Sequence, residues 1–198
     1  MIDSGNSYLE RRAAVKLLLQ ERGDALIVTG LGSPTYDVFS AGDNEANFYL
    51  WGAMGGAALM GLGLAISQPE KSVVVITGDG EQLMGIGGLA TIATQKPENL
   101  TIVVLDNEHY GETGMQASHT QSGINLDKVA ESMNFDQTCT LITEEDVMAF
   151  SKTLSSRQNC LRLAVLKIAA DETVKALPPR DGVYLKNRFR GYLGFGVN

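Results

Sequence analysis

Ser72-Val73-Val74-Val75-Ile76-Thr77-Gly78-Asp79-Gly80 reads as a buried strand that ends on a carboxylate flanked by glycines. A second run of the same kind, Leu100-Thr101-Ile102-Val103-Val104-Leu105-Asp106, ends on Asn107, 28 positions after Asp79. Both runs are rich in β-branched residues, and a helical stretch from about Leu83 to Gln95 separates them. That order predicts a βαβ unit with parallel strands. Parallel neighbours lie about 4.8 Å apart, so their carboxyl ends can bring Asp79 and Asn107 to one point. One carboxylate and one amide oxygen suit a hard cation such as Mg²⁺, which commonly fills its other positions with water and substrate phosphates. The pattern is a device for holding a diphosphate.

Outward from this unit, strands and helices alternate. Ser7-x-x-Glu10 reads as a capping box opening a helix to about Glu21, with Gly23 as its stop. Ala25 to Thr29 is a buried strand running into the loop Gly30-Leu31-Gly32-Ser33-Pro34, and Asn47 to Trp51 is a further extended piece. After Asn107 comes a loop punctuated by glycine, from Glu108 to about Asn125, long enough to be functional or mobile. A helix over Leu126–Met133, a strand over Thr138–Ile142, a helix capped by Thr143-Glu144-Glu145-Asp146 and a last strand over Leu161–Ile168 complete the pattern. The expectation is a doubly wound, mainly parallel α/β sheet with helices on both faces. The 198 residues suit one domain, with a core from about 7 to 170 and a basic tail from about 173 to 198, in which Pro178-Pro179 marks the end of the core.

A net charge of −7 argues against nucleic acid or an anionic membrane as partner. The tail runs the other way: Lys175, Arg180, Lys186, Arg188 and Arg190 face only Asp181, which suits a solvated tail or a basic flap for an anionic substrate. Cys139 and Cys160 form no disulfide framework or metal pattern, and no basic leader joins an apolar core. A reducing, cytoplasmic location is expected. Phe48 to Ile66 is uncharged over 19 residues, near the length of a membrane span. Its five glycines fit a helix packed tightly on a sheet, and that reading is preferred, with Met60 and Met84 taken as core.

Other phosphate-binding patterns fare worse. No Gly-x-x-x-x-Gly-Lys-Ser/Thr occurs. Gly30-x-Gly32 follows a strand but has Thr35 where a dinucleotide fingerprint needs glycine or alanine, and Gly85-x-Gly87-x-x-Ala90 falls inside a helix.

Gly78-Asp79-Gly80 through Asp106-Asn107 resembles the signature of thiamine diphosphate enzymes in their diphosphate-binding, PP-type domain. The resemblance implies that Asp79, the Asn107 side chain and the main-chain carbonyl of His109 ligate Mg²⁺. Trp51-Gly52-Ala53-Met54-Gly55 is similar to the segment beneath the cofactor. There Gly52 would receive the aminopyrimidine amine and Met54 would wedge the cofactor into its bent shape. Gly30, Gly32 and Ser33 match a loop that touches the diphosphate, alongside Gly78, Gly80, Tyr110 and Gly111. Glu81 departs from the pattern, since a small residue usually follows Gly-Asp-Gly. It is expected to point toward solvent or a basic group, or to cap the helix start. Asp106 stands where asparagine is common.

Those enzymes use a glutamate on a separate pyrimidine-binding domain, for which this length leaves no room. The resemblance therefore implies one half of a split enzyme: a pyrimidine-binding α subunit as partner, cofactor at the interface, and an α₂β₂ or larger assembly. Leu105 to Gln116, with Ser118-His119-Thr120 following, is most similar to the sulfopyruvate and phosphonopyruvate decarboxylases. A small anionic 2-oxo acid is the implied substrate. His109 and His119 are the only histidines. His119 is the candidate for proton delivery or substrate contact, and Tyr110 is expected to pack. A carboligase or oxidoreductase subunit, a non-catalytic diphosphate-binding module and a nicotinamide-binding protein are the alternatives.

Overall fold

The computed structural model describes residues 8–155, 159–171 and 173–196. Its strands are β1 (Leu26–Thr29), β2 (Asn47–Tyr49), β3 (Val73–Gly78), β4 (Leu100–Asp106), β5 (His109–Tyr110), β6 (Gln116–Ala117), β7 (Gln137–Leu141) and β8 (Arg162–Lys167). Six form one parallel sheet in the order β2-β1-β3-β4-β8-β7, while β5 and β6 make a small antiparallel hairpin. The chain steps from β1 outward to β2, then returns to the other side of β1 for β3. The crevice beyond β1 and β3 is thus a topological switch point, where open α/β sheets bind ligands.

The helices are α1 (Arg11–Leu18), α2 (Ser33–Ala41), α3 (Ala57–Ser67), α4 (Asp79–Met84), α5 (Ile86–Gln95), α6 (Leu126–Ser132), α7 (Glu144–Ser151) and α8 (Gly182–Tyr192). Helices α3, α5 and α6 pack on one face through Ala58, Leu62, Leu89, Ile92 and Ala130, against Val73, Val75, Ile102 and Val104. Helices α1, α2 and α7 pack on the other through Val15, Leu18, Val38 and Val147, against Val74, Ile76, Val103 and Leu105. Burial on both faces is why the two central strands read as unbroken apolar runs rather than as alternating ones. The doubly wound α/β architecture expected from the sequence is the observed one.

Helix α3 packs close to the sheet at Gly61, where a Cβ would lie 2.2 Å from Val75 Cγ2. Among the described residues no helix is long and apolar enough to cross a membrane. Only one side of α3 is buried, however; Leu59, Met60 and Ile66 are exposed, and so is Met84. Reading Met60 and Met84 as core is therefore corrected.

Three other expectations change. The helix placed at 83–95 is two: α4 starts at Asp79 itself, and the break falls at Gly85, where a Cβ would meet Gly55 O at 2.2 Å. The loop Gly30 to Pro34 ends early because α2 begins at Ser33, with Pro34 in its first turn. Helix α1 is capped by Glu10, whose side chain accepts from Arg12 N and Ala13 N; Ser7 lies outside the described residues.

Beyond Pro178-Pro179 the core continues. Helix α8 buries Leu185 and Phe189, one turn apart, in the two apolar clusters. Each contributes about 1.5–3 kcal/mol. Arg188 ties the helix to Asp43 Oδ2 at 2.8 Å and to the Asn47 carbonyl at 3.0 Å. The basic charges of this segment are thus partly paired, with Lys175 held by Glu112 at 3.1 Å.

Candidate active site

A cavity of about 210 Å³ opens at the carboxyl ends of β1, β3 and β4. Ser33 and Leu31 reach it from the loop after β1, Gly78 to Glu81 from the turn after β3, and Asn107 from the end of β4. Met54, Tyr110 and Gly111 close its other sides. Asp79 and Asn107, singled out by spacing alone, thus face one space. The parallel register carries them there: Gly78 pairs with Leu105, so the residues just beyond both strand ends are neighbours.

Asp79 is 2% exposed, and its Oδ2 accepts from the hydroxyls of Ser118 and Thr120. Thr120 Oγ1 lies closer still to Asp106 Oδ1, at 2.8 Å, so its one proton is shared between the two carboxylates. Burial pushes the Asp79 carboxyl up to about 6; the Ser118 hydrogen bond works against this, and the nearby Asp106 charge adds to it. A buried carboxylate held at such cost is a place for a cation. Asn107 Oδ1 accepts the His109 N–H at 3.1 Å and keeps a second lone pair for another partner. Among the described residues no cluster of three or more His, Cys, Asp or Glu could hold a metal. A cation here would draw on amide, carbonyl and phosphate oxygens beside one carboxylate, the donor set that Mg²⁺ favours.

Asp106 has a structural part. It is buried, and Lys167 of β8 binds its Oδ2 at 2.8 Å and Glu108 Oε1 at 2.6 Å. One ammonium thus clamps the residues on both sides of Asn107 and offsets the negative charge that Asp106 brings beside Asp79. Glu108 adopts φ +63°, a strained conformation for a residue with a side chain, and this clamp holds it.

Glu81 does not reach solvent, a basic group or the helix cap. It is 4% exposed and accepts the Leu31 N–H at 2.8 Å and the Gly55 N–H at 3.3 Å. Burial raises its carboxyl above the usual range, and the Leu31 hydrogen bond opposes that rise. One side chain therefore fastens two loops of the cavity to α4. Glu81→Ala leaves both N–H groups without their acceptor and is expected to cost about 2–4 kcal/mol, read as a lower midpoint in urea unfolding. An unchanged midpoint would show that the loops hold without it.

The remaining sequence-predicted residues scatter around this cavity. Gly32 caps α2 with φ +74° and Gly52 turns the chain with φ +91°, both outside the lining. Gly30 abuts Glu81. The His109 ring turns back, its Nδ1 2.8 Å from its neighbour's carbonyl at Asn107, instead of facing the cavity. His119 lines a second, largely apolar groove with Met84, Leu83 and Ile124, which shares Met54, Gly80 and Tyr110 with the first. Tyr110 O–H lies 2.8 Å from His119 Nδ1, so this tyrosine links the two spaces as well as packing. Sequence reading missed the supports: Ser118, Thr120, Lys167 and Arg11. Lys167 and Arg11 fall in no motif, and Ser118 and Thr120 entered only through the resemblance around His119, because each reaches the site through the fold.

The sequence profile of the thiamine pyrophosphate enzyme C-terminal TPP binding domain matches residues 35–160. Sulfopyruvate decarboxylase subunit beta of Methanocaldococcus jannaschii is 36% identical over 185 residues, covering 92% of this chain and 96% of that one. The same subunit of Methanothermobacter thermautotrophicus is 46% identical over 128 residues, 65% of this chain and 68% of that one. Phosphonopyruvate decarboxylase of Streptomyces viridochromogenes is 40% identical over 126 residues, 63% of this chain but 31% of its own length. Among solved structures, the thiamine diphosphate-dependent 4-hydroxybenzoylformate decarboxylase of Rhodococcus jostii RHA1 superposes with a TM-score of 0.70 at 20% identity. The match covers 87% of this chain and 34% of that structure, and it bears on the fold alone.

Proposed function

Because the chain belongs to the thiamine pyrophosphate enzymes and carries their C-terminal TPP binding domain, we propose that it is the β subunit of a thiamine diphosphate- and Mg²⁺-dependent 2-oxo acid decarboxylase. Its substrate is a small anionic 2-oxo acid, sulfopyruvate- or phosphonopyruvate-like, as in the names of its relatives. The observation that carries the reading is the meeting of Asp79 and Asn107 in one cavity at the switch point.

The residues fit the cofactor. Asp79, the Asn107 amide oxygen and the His109 carbonyl hold Mg²⁺. The backbone of Gly78 and Gly80, the loop of Gly30, Gly32 and Ser33, and the edge at Tyr110 and Gly111 receive the diphosphate. Helix α2 has no side-chain cap, which leaves its first N–H groups available for an anion. The Gly52 carbonyl and the Met54 side chain orient the rings. Thiamine diphosphate, when bound, supplies the nucleophilic carbon and the electron sink that decarboxylation needs. In the net reaction the carbon–carbon bond to the carboxylate breaks, carbon dioxide leaves, and a proton takes its place to give an aldehyde. His119, hydrogen-bonded to Tyr110 at the mouth, delivers that proton or steadies the substrate's second anionic group.

The relatives named as β subunits support a separate partner, and a hetero-oligomer such as α₂β₂ follows. The partner docks over the apolar groove, where Met84 is 68%, Met54 43% and Ile124 43% exposed; Leu59 and Met60 of α3 are exposed as well. Two free thiols accord with a cytoplasmic setting. The test is co-expression with the partner and a panel of 2-oxo acids scored for carbon dioxide and aldehyde. Both products are expected in equal amount from an anionic substrate. In the same panel His119→Asn is expected to slow turnover with cofactor affinity kept. Carbon dioxide without aldehyde would favour transfer to an acceptor, and a silent panel would favour a binding module.

A further inference from the structure

The cavity is short of positive charge. Asp79, Glu81 and Glu112 all line it, and a diphosphate carries more negative charge than one divalent cation cancels. Among the described residues one basic side chain lines it: Arg11, the first residue of α1. Arg11 lies outside the matched stretch 35–160 and outside every motif in the sequence.

Its geometry is that of an aimed group. Arg11 is 5% exposed. Nε donates to Asp37 Oδ2 at 2.9 Å, and Nη2 lies 2.8 Å from the same oxygen. Both contacts occupy one edge of the guanidinium. Nη1 has no hydrogen bond to another described residue, and Arg11 lines both this cavity and an adjoining one that holds Ser33, Asp37 and Lys175. Asp37 is itself buried on α2, whose first residues Ser33 and Pro34 line the same cavity. Packing of α1 on α2 therefore fixes the cation beside the uncapped start of α2. Guanidinium recognises a tetrahedral oxyanion better than any other side chain, and a buried one is less screened.

We propose that Arg11 binds the terminal phosphate of the cofactor's diphosphate, held in position by Asp37. This rests on the thiamine diphosphate reading above. The shared chemistry, a tetrahedral oxyanion, could also come from the substrate's sulfonate or phosphonate. The terminal phosphate is favoured because Arg11 and Ser33 line an adjoining space together, and neither lines the His119 groove.

The test uses the assembled complex and calorimetry with Mg²⁺ and either thiamine diphosphate or thiamine monophosphate. Arg11→Met leaves the buried Asp37 with Arg12 Nε, 3.7 Å from its Oδ1, as its remaining cation, so the double variant Arg11→Met/Asp37→Asn, which removes both charges, is measured beside it. The expected result for both is about 10- to 100-fold weaker thiamine diphosphate binding, with monophosphate affinity unchanged. Equal losses for the two ligands, or no loss in the double variant, would overturn the assignment. So would a raised KM for the 2-oxo acid with cofactor affinity intact, which would transfer Arg11 to the substrate. If the unmutated complex bound no thiamine diphosphate, the functional reading itself would fall and this inference with it. Unmutated binding with an indifferent double variant would remove Arg11 alone.

Discussion

Asp79→Ala is expected to abolish Mg²⁺-dependent thiamine diphosphate binding by the assembled complex. Removing a group that merely supports a metal ligand costs about 10–100-fold in affinity, so removing the one carboxylate among the proposed ligands should exceed about 100-fold. The fold should survive it. Asp79 is buried beside Asp106, and its carboxyl is pushed up to about 6 by that burial, so its charged form is a burden on the empty protein. Ser118 and Thr120 lose one acceptor but remain bonded to each other at 2.8 Å, and Thr120 keeps Asp106. A melting temperature equal to or above the parent's, together with lost binding, is the expected pair of results. Calorimetry with and without Mg²⁺ separates the metal from the organic part of the cofactor. Unchanged affinity would mean that the two strand ends do not share a cation.

What the sequence made legible follows from where each residue's partners lie. Strands β3 and β4 were readable because burial on both faces forces apolar, β-branched runs, and their ends fall where the chain must turn. The Asp79–Asn107 pair was readable because parallel strands convert a sequence spacing into adjacency. Supports contributed from elsewhere were not. Lys167 reaches Asp106 from β8 and Thr120 reaches Asp79 from the turn after β6, and neither spacing has a period to betray it. Glu81 was misread because a carboxylate beside a phosphate site suggests repulsion, whereas its partners are two backbone N–H groups that no sequence pattern marks. Helix α2 was hidden by the preceding glycines, although Ser33-Pro34 is a fair helix start. Met60 and Met84 were assigned to the core by their hydrophobicity, which is the same for a core and for a surface that another chain covers.

Purified without its partner, the chain is expected to release no measurable carbon dioxide from any 2-oxo acid. The cavity and the His119 groove adjoin, with Met54, Gly80 and Tyr110 lining both, and the groove is bordered by exposed apolar side chains. Chemistry of this kind needs water kept from the reacting carbon, and nothing among the described residues covers that side. Methionines suit an interface that must close on another surface, because their unbranched side chains adapt to it. Activity should therefore appear only when the partner is added, rising with its concentration to a plateau at a fixed ratio. Met84→Asp, at the most exposed of these positions, should raise the partner concentration needed while leaving the chain folded, since a carboxylate there costs nothing until it is desolvated. Robust turnover by the chain alone would contradict the split-site reading. Assembly unaffected by Met84→Asp would move the interface to another face, because a buried unpaired carboxylate at the groove could not pass unnoticed.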